Sequence, residues 1–406
     1  MTTIETDAKV VAIETLRDPE HAEFLWVRIE TDTGVVGLGE TMPKPLAVEA
    51  AVHDRLAPLL LGRPISPERF WAESFQSISY AGYGGAEMRA LSAVDIALWD
   101  ALGRITGVPV HTLLGGPVRD RVRVYNTCVG YGAYPDRERF FDDPAGLARD
   151  LVAEGYGAVK MAPFDDYSVA SLGQHFDSAD LAEGVARIAA MRDAVGDAIE
   201  IAIEGHSCWN LPSAIRIAKA LEPYRPLWLE DILQARSPVA WAQLREATTI
   251  PICGSERVFT RFDAINYLQV GAWDYVNQDV AWTGGITEFR KVAALAETFE
   301  LPVVPHNCHG PVAAAATMAV SAAVSNIAWT ETVRSFERGI HPDIAVGGPT
   351  TDRGYVIPSE SPGLGIELLD SFLSRCLTRR TTVEMVGRAG GWALGDPWAN
   401  GVDDGM

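Results

Sequence analysis

The stretch that decides the fold runs from IEIAIEGH (residues 199–206) through LWLED (227–231), IPICGSE (250–256), YVNQD (275–279) and PVVPH (302–306) to NIAWTE (326–331). Each piece is a short apolar, often β-branched run followed by an ionisable residue: Glu204, Glu230, Glu256, Asp279, His306 or Glu331. Subtracting positions gives successive steps of 26, 26, 23, 27 and 25. One strand with its following helix and loops has about that length, so the spacing predicts a repeated βα unit.

The run Ala158-Val159-Lys160 extends the series backwards. Candidate strands therefore cover 158–160, 199–203, 227–229, 250–252, 275–276, 302–304 and 326–329, with helical stretches at 180–195, 212–221, 286–298 and 311–324. Such alternation fits a parallel barrel or a doubly wound sheet. A doubly wound nucleotide binder needs a glycine-rich turn between its first strand and helix, and neither G-x-G-x-x-G nor a Walker pattern occurs in that context.

Ahead of the repeats the pattern is different. Apolar residues dominate 24–29, Thr31-Asp32-Thr33-Gly34 supplies turn chemistry and the apolar pattern resumes at 35–38, a β-hairpin. Leu91, Val94, Leu98, Leu102 and Ile105 recur at spacings of three and four, predicting an amphipathic helix over 87–106 that stops near Gly107. The chain is thus read as an α/β protein in three parts. These are an α+β cap (1–122), a (β/α) barrel (123–346) and a C-terminal segment returning to the cap (347–406).

With 406 residues, two units sharing an interface are expected, and 48% hydrophobic with 22% charged residues describes a globular chain. The longest apolar runs are too short to span a bilayer, and the first nine residues lack the apolar core of a signal peptide, so a cytoplasmic enzyme is expected. Five scattered cysteines without a C-x-x-C pair read as thiols of a reducing compartment. A net charge of −20 argues against nucleic acid and anionic membranes as partners.

In a barrel the C-terminal strand ends converge on one face, where catalytic groups sit. Glu204, Glu230 and Glu256 would then be three carboxylates on adjacent strands, and they cannot all ionise side by side without a compensating cation. Oxygen-only ligands suit a hard ion such as Mg²⁺. The plainer reading, that each glutamate caps a helix or faces solvent, does not account for the near-equal steps. Asp279 and His306 would end neighbouring strands, the pairing of an imidazole base with its orienting carboxylate. A structural histidine is the other reading, and His309 keeps it open. His206, two residues beyond Glu204, is expected on the same strand face as a second acid or base.

With these residues in place, the sequence resembles the enolase superfamily, in its mandelate-racemase-like branch, and is most similar to the galactonate and gluconate dehydratases. The resemblance rests on FLWVRIETDTGVVGLGE (24–40), ALSAVDIALWDALGRITGVPVHTLLGG (90–116), AVKMAPF (158–164), PICGSERVFTR (251–261), VNQDVAWTGGITE (276–288), VVPHNCHGP (303–311), WTETV (329–333) and SPGLGIEL (361–368). It implies a (β/α)7β-type modified TIM barrel, in which a Lys or His base works with one or two Mg²⁺ ions. Position by position it implies metal ligands at Glu204, Glu230 and Glu256, a dyad of Asp279 and His306, an enolate-binding Glu331, and Lys160 as the first lysine of a K-x-K motif. The chain departs from the pattern at Ala162, which replaces the second lysine, at Glu204, where Asp is commoner, and at Glu230-Asp231-Ile232 for Glu-Glu-Pro.

The implied reaction is Mg²⁺-dependent dehydration of a sugar acid to a 2-keto-3-deoxy acid, with His306 as base and His206 as acid. Racemisation or epimerisation of a hydroxy acid is the alternative, and a non-catalytic binding or structural protein a third. The substrate would be a small carboxylate, and the chain a homo-oligomer of two to eight copies. Cap loops at 16–23 and 75–85, carrying His21, Tyr80 and Tyr83, are candidates for substrate selection, although the tyrosines could equally be packing residues.

Overall fold

A computed structural model describes residues 7–80 and 82–388. The chain starts with an antiparallel meander, β1 (Val10–Arg17), β2 (Leu25–Thr31) and β3 (Val36–Thr41), and the late strand Leu377–Thr382 adds to its open edge beside β1. The long helix α1 (Gly85–Thr106) crosses this sheet. Gly37 and Gly39 on β3 make that crossing close, since a Cβ at either would collide with the backbone oxygen of Ala97 or Ala93. Asp100 of α1 accepts from Leu38 N at 2.8 Å and from Leu364 N at 2.7 Å, tying hairpin, helix and tail together.

The barrel follows, in the order β4 (Val122–Thr127), α2 (Asp136–Asp142), α3 (Pro144–Ala153), β5 (Ala158–Met161), α4 (Ser178–Val195), β6 (Glu200–Glu204) and α5 (Leu211–Leu221). It continues with β7 (Leu229–Glu230), α6 (Pro238–Ala247), β8 (Ile252–Gly254), α7 (Thr260–Gln269), β9 (Tyr275–Asp279), α8 (Gly285–Thr298), β10 (Val303–His306), α9 (Pro311–Ala323) and β11 (Thr330–Thr332). Neighbouring strands from β4 to β10 pair in parallel, and β11 pairs in parallel with β4. A bridge between Val303 and Ile327 closes the ring. Helical connections separate the successive strands, and the last strand runs instead into short turns at Phe336–Ile340 and His341–Ile344. This is the (β/α)7β arrangement.

Helix starts follow local chemistry. Asn210 accepts from Ser213 N at 3.0 Å and Ser237 from Ala240 N at 3.3 Å, each followed by a proline in the first turn. Inside the barrel, Tyr125, Ala158, Ala202, Trp228, Cys253, Val304 and Trp329 form a separate buried plug. The Trp228 ring is edge-on to Tyr125 at 5.4 Å, so the polar strand ends stand on an aromatic floor.

Most strands reach one to three residues beyond their apolar runs, so the ionisable residues at 204, 230, 279 and 306 lie within the ladder. The stretch 326–329 supplies the closing bridge, and the strand itself is Thr330–Thr332. The first strand, Val122–Thr127, was not among the candidate runs. The cap docks on the barrel through α1: Ser92 accepts from Gly284 N at 2.9 Å, Asp95 from Thr287 N at 3.0 Å, and Trp99 donates to Thr287 Oγ1 at 2.9 Å. No described helix is long and apolar enough to cross a membrane.

Candidate active site

Parallel register sets Glu204 opposite Glu230 and Asp279 opposite His306, while Glu256 lies two residues past β8. Glu204, Glu230 and Glu256 are all buried and offer ligand oxygens within 4.8 Å of one another. Lys160, 2% exposed in its side chain, reaches from β5 to Glu230 and lies 3.0 Å from both Glu204 Oε2 and Glu331 Oε1. Glu230 also accepts from Trp228 Nε1 and Asn277 Nδ2, each at 2.8 Å.

Electrostatics separate the carboxylates. Burial pushes the Glu230 carboxyl well up, with help from the charges of Glu204 and Glu331, and Lys160 opposes the shift. Burial also acts on Glu204, but Lys160, His206 and the His206 backbone N–H outweigh it and hold that carboxyl below its ordinary range. Lys160 stays charged, because the surrounding carboxylates overcome its desolvation. Asp231, with a left-handed φ of 40°, adds a fourth buried carboxyl; burial, then the charges of Glu256 and Glu204, push it up to about 8.

This density of buried acids fits a divalent cation better than protein cations alone. Two other ligand groupings share the face: Asp279 with His306 and His309, and His306 with Cys308 and Glu331. In the first the groups are engaged with one another, and in the second burial pushes the Cys308 thiol up to about 12. The three glutamates are therefore the set that suits a hard ion.

His306 donates from Nδ1 to Asp279 Oδ2 at 2.6 Å, leaving Nε2 3.1 Å from Glu256 Oε2 and 3.7 Å from Glu331 Oε2. Desolvation disfavours its cation, but Glu256, Glu331 and the Asp279 hydrogen bond raise its basicity well above the ordinary histidine value. Asp279 is held well below the usual carboxylate range, its burial overcome by His309 and His306. The Trp282 ring sits 5.0 Å from the His306 ring, and Arg89 of α1 lies over Trp282 at 4.8 Å. The cap thus reaches the wall beside this imidazole.

His206 arrives by a different route from the one expected. The strand ends at Glu204, and His206 (φ 41°) and Ser207 (φ 57°) turn in left-handed conformation, so alternation along a strand is not what aims it. Its backbone N–H donates to Glu204 Oε1 at 2.7 Å, and its ring Nδ1 pairs with Asp165. The ring is half-exposed; burial opposes its charge, but Glu204 and Asp165 raise its pKa to about 9.

About 230 Å³ of space opens over Lys160, Glu204, His206, His306 and Glu331, and Arg137, Phe140 and Phe141 of α2 form its outer wall. That helix is bolted down by buried Asp136, which accepts from Arg334 at 2.6 and 2.7 Å and from Asn126 at 3.1 Å. Ala162 lines the same pocket.

The cap candidates lie elsewhere. His21 is buried, with ring neighbours Tyr131 at 6.2 Å and Phe24 at 6.4 Å. Tyr80 is largely exposed, and Tyr83 donates to Asp263 of α7 at 2.8 Å within an aromatic patch with Phe75 and Phe262. None of the three lines the pocket. Sequence reasoning noted Asp231 only as the neighbour of Glu230, and it missed Asp165, Arg137 and the Arg334–Asp136 pair. Each owes its place to a loop or a long-range contact with no periodic signal.

Fold and site together define a capped (β/α)7β barrel enzyme with a carboxylate triad and an Asp–His pair at its strand ends. The chain belongs to the mandelate racemase/muconate lactonizing enzyme family of the enolase superfamily. Residues 3–115 match that family's N-terminal domain, and residues 144–371 match the enolase C-terminal domain-like barrel. Among its relatives are a D-galactonate dehydratase of Ralstonia pickettii, 34% identical over 89% of this chain and 92% of that protein, and a D-gluconate dehydratase of Thermoproteus tenax, 33% identical over 98% and 78%. A solved enolase protein from Sargasso Sea environmental sequencing superposes with a TM-score of 0.86 at 38% identity, over 92% of this chain and 99% of that one.

Proposed function

We propose that this chain dehydrates a sugar acid, with Mg²⁺ held by Glu204, Glu230 and Glu256. The observation that carries the reading is the pair of carboxylate-held imidazoles bordering one pocket, His306 on Asp279 and His206 on Asp165. When bound, the metal supplies Lewis-acid polarisation of the substrate carboxylate. Lys160 adds a fixed positive charge where negative charge develops, and Glu331, which accepts from Asn307 N at 2.7 Å, sits beside it. His306 Nε2 takes the proton from the carbon next to the carboxylate, while Asp279 holds the opposite ring nitrogen. His206 gives its proton to the hydroxyl leaving the next carbon. Water departs, and the remaining enol tautomerises to a 2-keto-3-deoxy acid. Ala162, on the pocket wall where the family's second lysine stands, supports elimination over racemisation, because the lysine that would act as a second base is missing. The substrate relation comes from the dehydratase relatives, and the direct test is a panel of sugar acids, D-galactonate and D-gluconate among them, assayed with Mg²⁺ for 2-keto product. Formation of a 2-keto-3-deoxy acid from one member supports the reading. Epimerised acid without keto product would replace it.

A further inference from the structure

Asp279 does not serve His306 alone. Its Oδ2 accepts from His306 Nδ1 at 2.6 Å and also from His309 Nε2 at 2.7 Å, and its Oδ1 accepts from Ala281 N at 2.7 Å. His309 is fully buried in its side chain, and its ring stands edge-on to Trp282 at 5.7 Å and to His306 at 5.9 Å. Its backbone oxygen is within 3.0 Å of His341 Nε2, so the residue is fixed at both ends. Behind it comes the cap. Glu40, from the end of β3, accepts from Trp26 Nε1 at 3.0 Å and from Val312 N at 2.9 Å, at the start of α9. Its other oxygen rests against Gly310, where a Cβ would meet it at 2.5 Å. That oxygen and His309 Nδ1 are both buried without a hydrogen-bond partner.

We propose that His309 is a positioning residue for proton transfer: by donating from Nε2 to the oxygen that His306 uses, it fixes the Asp279 carboxylate. The inference rests on the reading of His306 as the base. A carboxylate with a single imidazole partner can swing between its two oxygens. One held by three donors presents His306 with a fixed acceptor, which keeps the proton on Nδ1 and makes Nε2, 3.1 Å from Glu256 Oε2, the nitrogen that exchanges a proton with substrate.

The test uses the full-length, Mg²⁺-loaded protein with ¹⁵N-labelled histidine, following the low-field ring N–H proton of the His306–Asp279 hydrogen bond. His306→Asn assigns the signal by removing it. His309→Leu should shift it upfield and speed its exchange with solvent about tenfold or more, while His309→Gln, which keeps a donor at the ε position, should restore most of both. The acid selected by the panel should show the same pattern, kcat falling about tenfold in the Leu variant with KM within about twofold. If His309→Leu does not fold, His309→Asn, too short to reach Asp279, takes its place in the comparison with Gln. An unchanged signal and kcat in a folded Leu or Asn variant would overturn the proposal. A low-field signal that survives His306→Asn would instead remove the His306–Asp279 reading, an outcome distinct from any result at His309.

Discussion

Replacing Lys160 with methionine keeps most of the length of the side chain and removes one buried charge. At 3.0 Å from Glu204 Oε2 and again from Glu331 Oε1, each pair is worth roughly 5–6 kcal/mol of gross attraction at an effective dielectric near 20. Most of that is offset by the desolvation of the ammonium, and breaking a buried network of this kind leaves a net loss of about 3–5 kcal/mol. Unfolding entropy near ~2.1 cal/mol/K per residue, taken over 406 residues, converts this to a fall in Tm of about 4–6 °C. Calorimetry in EDTA at pH 7 is the assay. Orphaned carboxylates will take up protons in the folded variant, raising their folded pKa. Their contribution is then present at low pH and lost as pH rises, so the gap to wild type should widen from pH 6 to pH 8. Saturating Mg²⁺ should narrow the gap, because the ion compensates the same carboxylates. A Tm in EDTA equal to wild type at both pH values would refute the claim that Lys160 balances the site.

Other perturbations test separate parts of the account. Glu230→Gln should weaken Mg²⁺ binding about tenfold or more by calorimetric titration while leaving the circular dichroism spectrum unchanged, since it removes an anionic oxygen and little volume. Arg334→Met should cost about 3–5 kcal/mol in denaturant unfolding by leaving Asp136 buried and unpaired, and should loosen the α2 wall of the pocket. His53 of the cap lies between Thr15 Oγ1 at 2.9 Å and Thr381 Oγ1 at 2.8 Å, and burial, with Arg379 nearby, holds its pKa down to about 4. The unfolded chain therefore binds more protons between about pH 4 and 6.5, so stability should rise as pH increases across that window and be lost as pH falls through it, and His53→Gln should flatten the slope. The isolated barrel, residues 123–346, should be inactive on the preferred acid, because α1 supplies Arg89 beside Trp282 and the α8 contacts.

What could be read from the sequence was what repeats. The steps from Glu204 to Glu331 marked βα units, and the residues so marked gather at one end of the barrel, because parallel register converts equal spacing into adjacency; Glu204, His306 and Glu331 line the pocket itself. Strand ends were placed short because Glu, Asp and His look like loop residues, whereas here they continue the ladder and project inward. The strand Val122–Thr127 was obscured by Arg123 and Asn126, whose polarity is absorbed by the Trp329 ring at 3.8 Å and by Asp136 at 3.1 Å. His206 reached the pocket through a left-handed turn, which its sequence neighbours do not announce. His309 and Asp165 act as partners of catalytic candidates, and partnership is a tertiary property with no spacing signal. The assignment of Tyr83 to a docking contact depends on Asp263, 180 positions away in the chain.

The proposed function divides proton transfer between two imidazoles, and exchange of the substrate α-proton with deuterated solvent, followed beside dehydration in His306→Asn and His206→Asn, separates their roles. With His306 as base, His306→Asn loses both exchange and dehydration. With His206 as acid only, His206→Asn loses dehydration and retains exchange, provided the abstracted proton leaves His306 before it returns to carbon. Exchange that persists in His306→Asn and vanishes in His206→Asn would contradict the account and reverse the two roles.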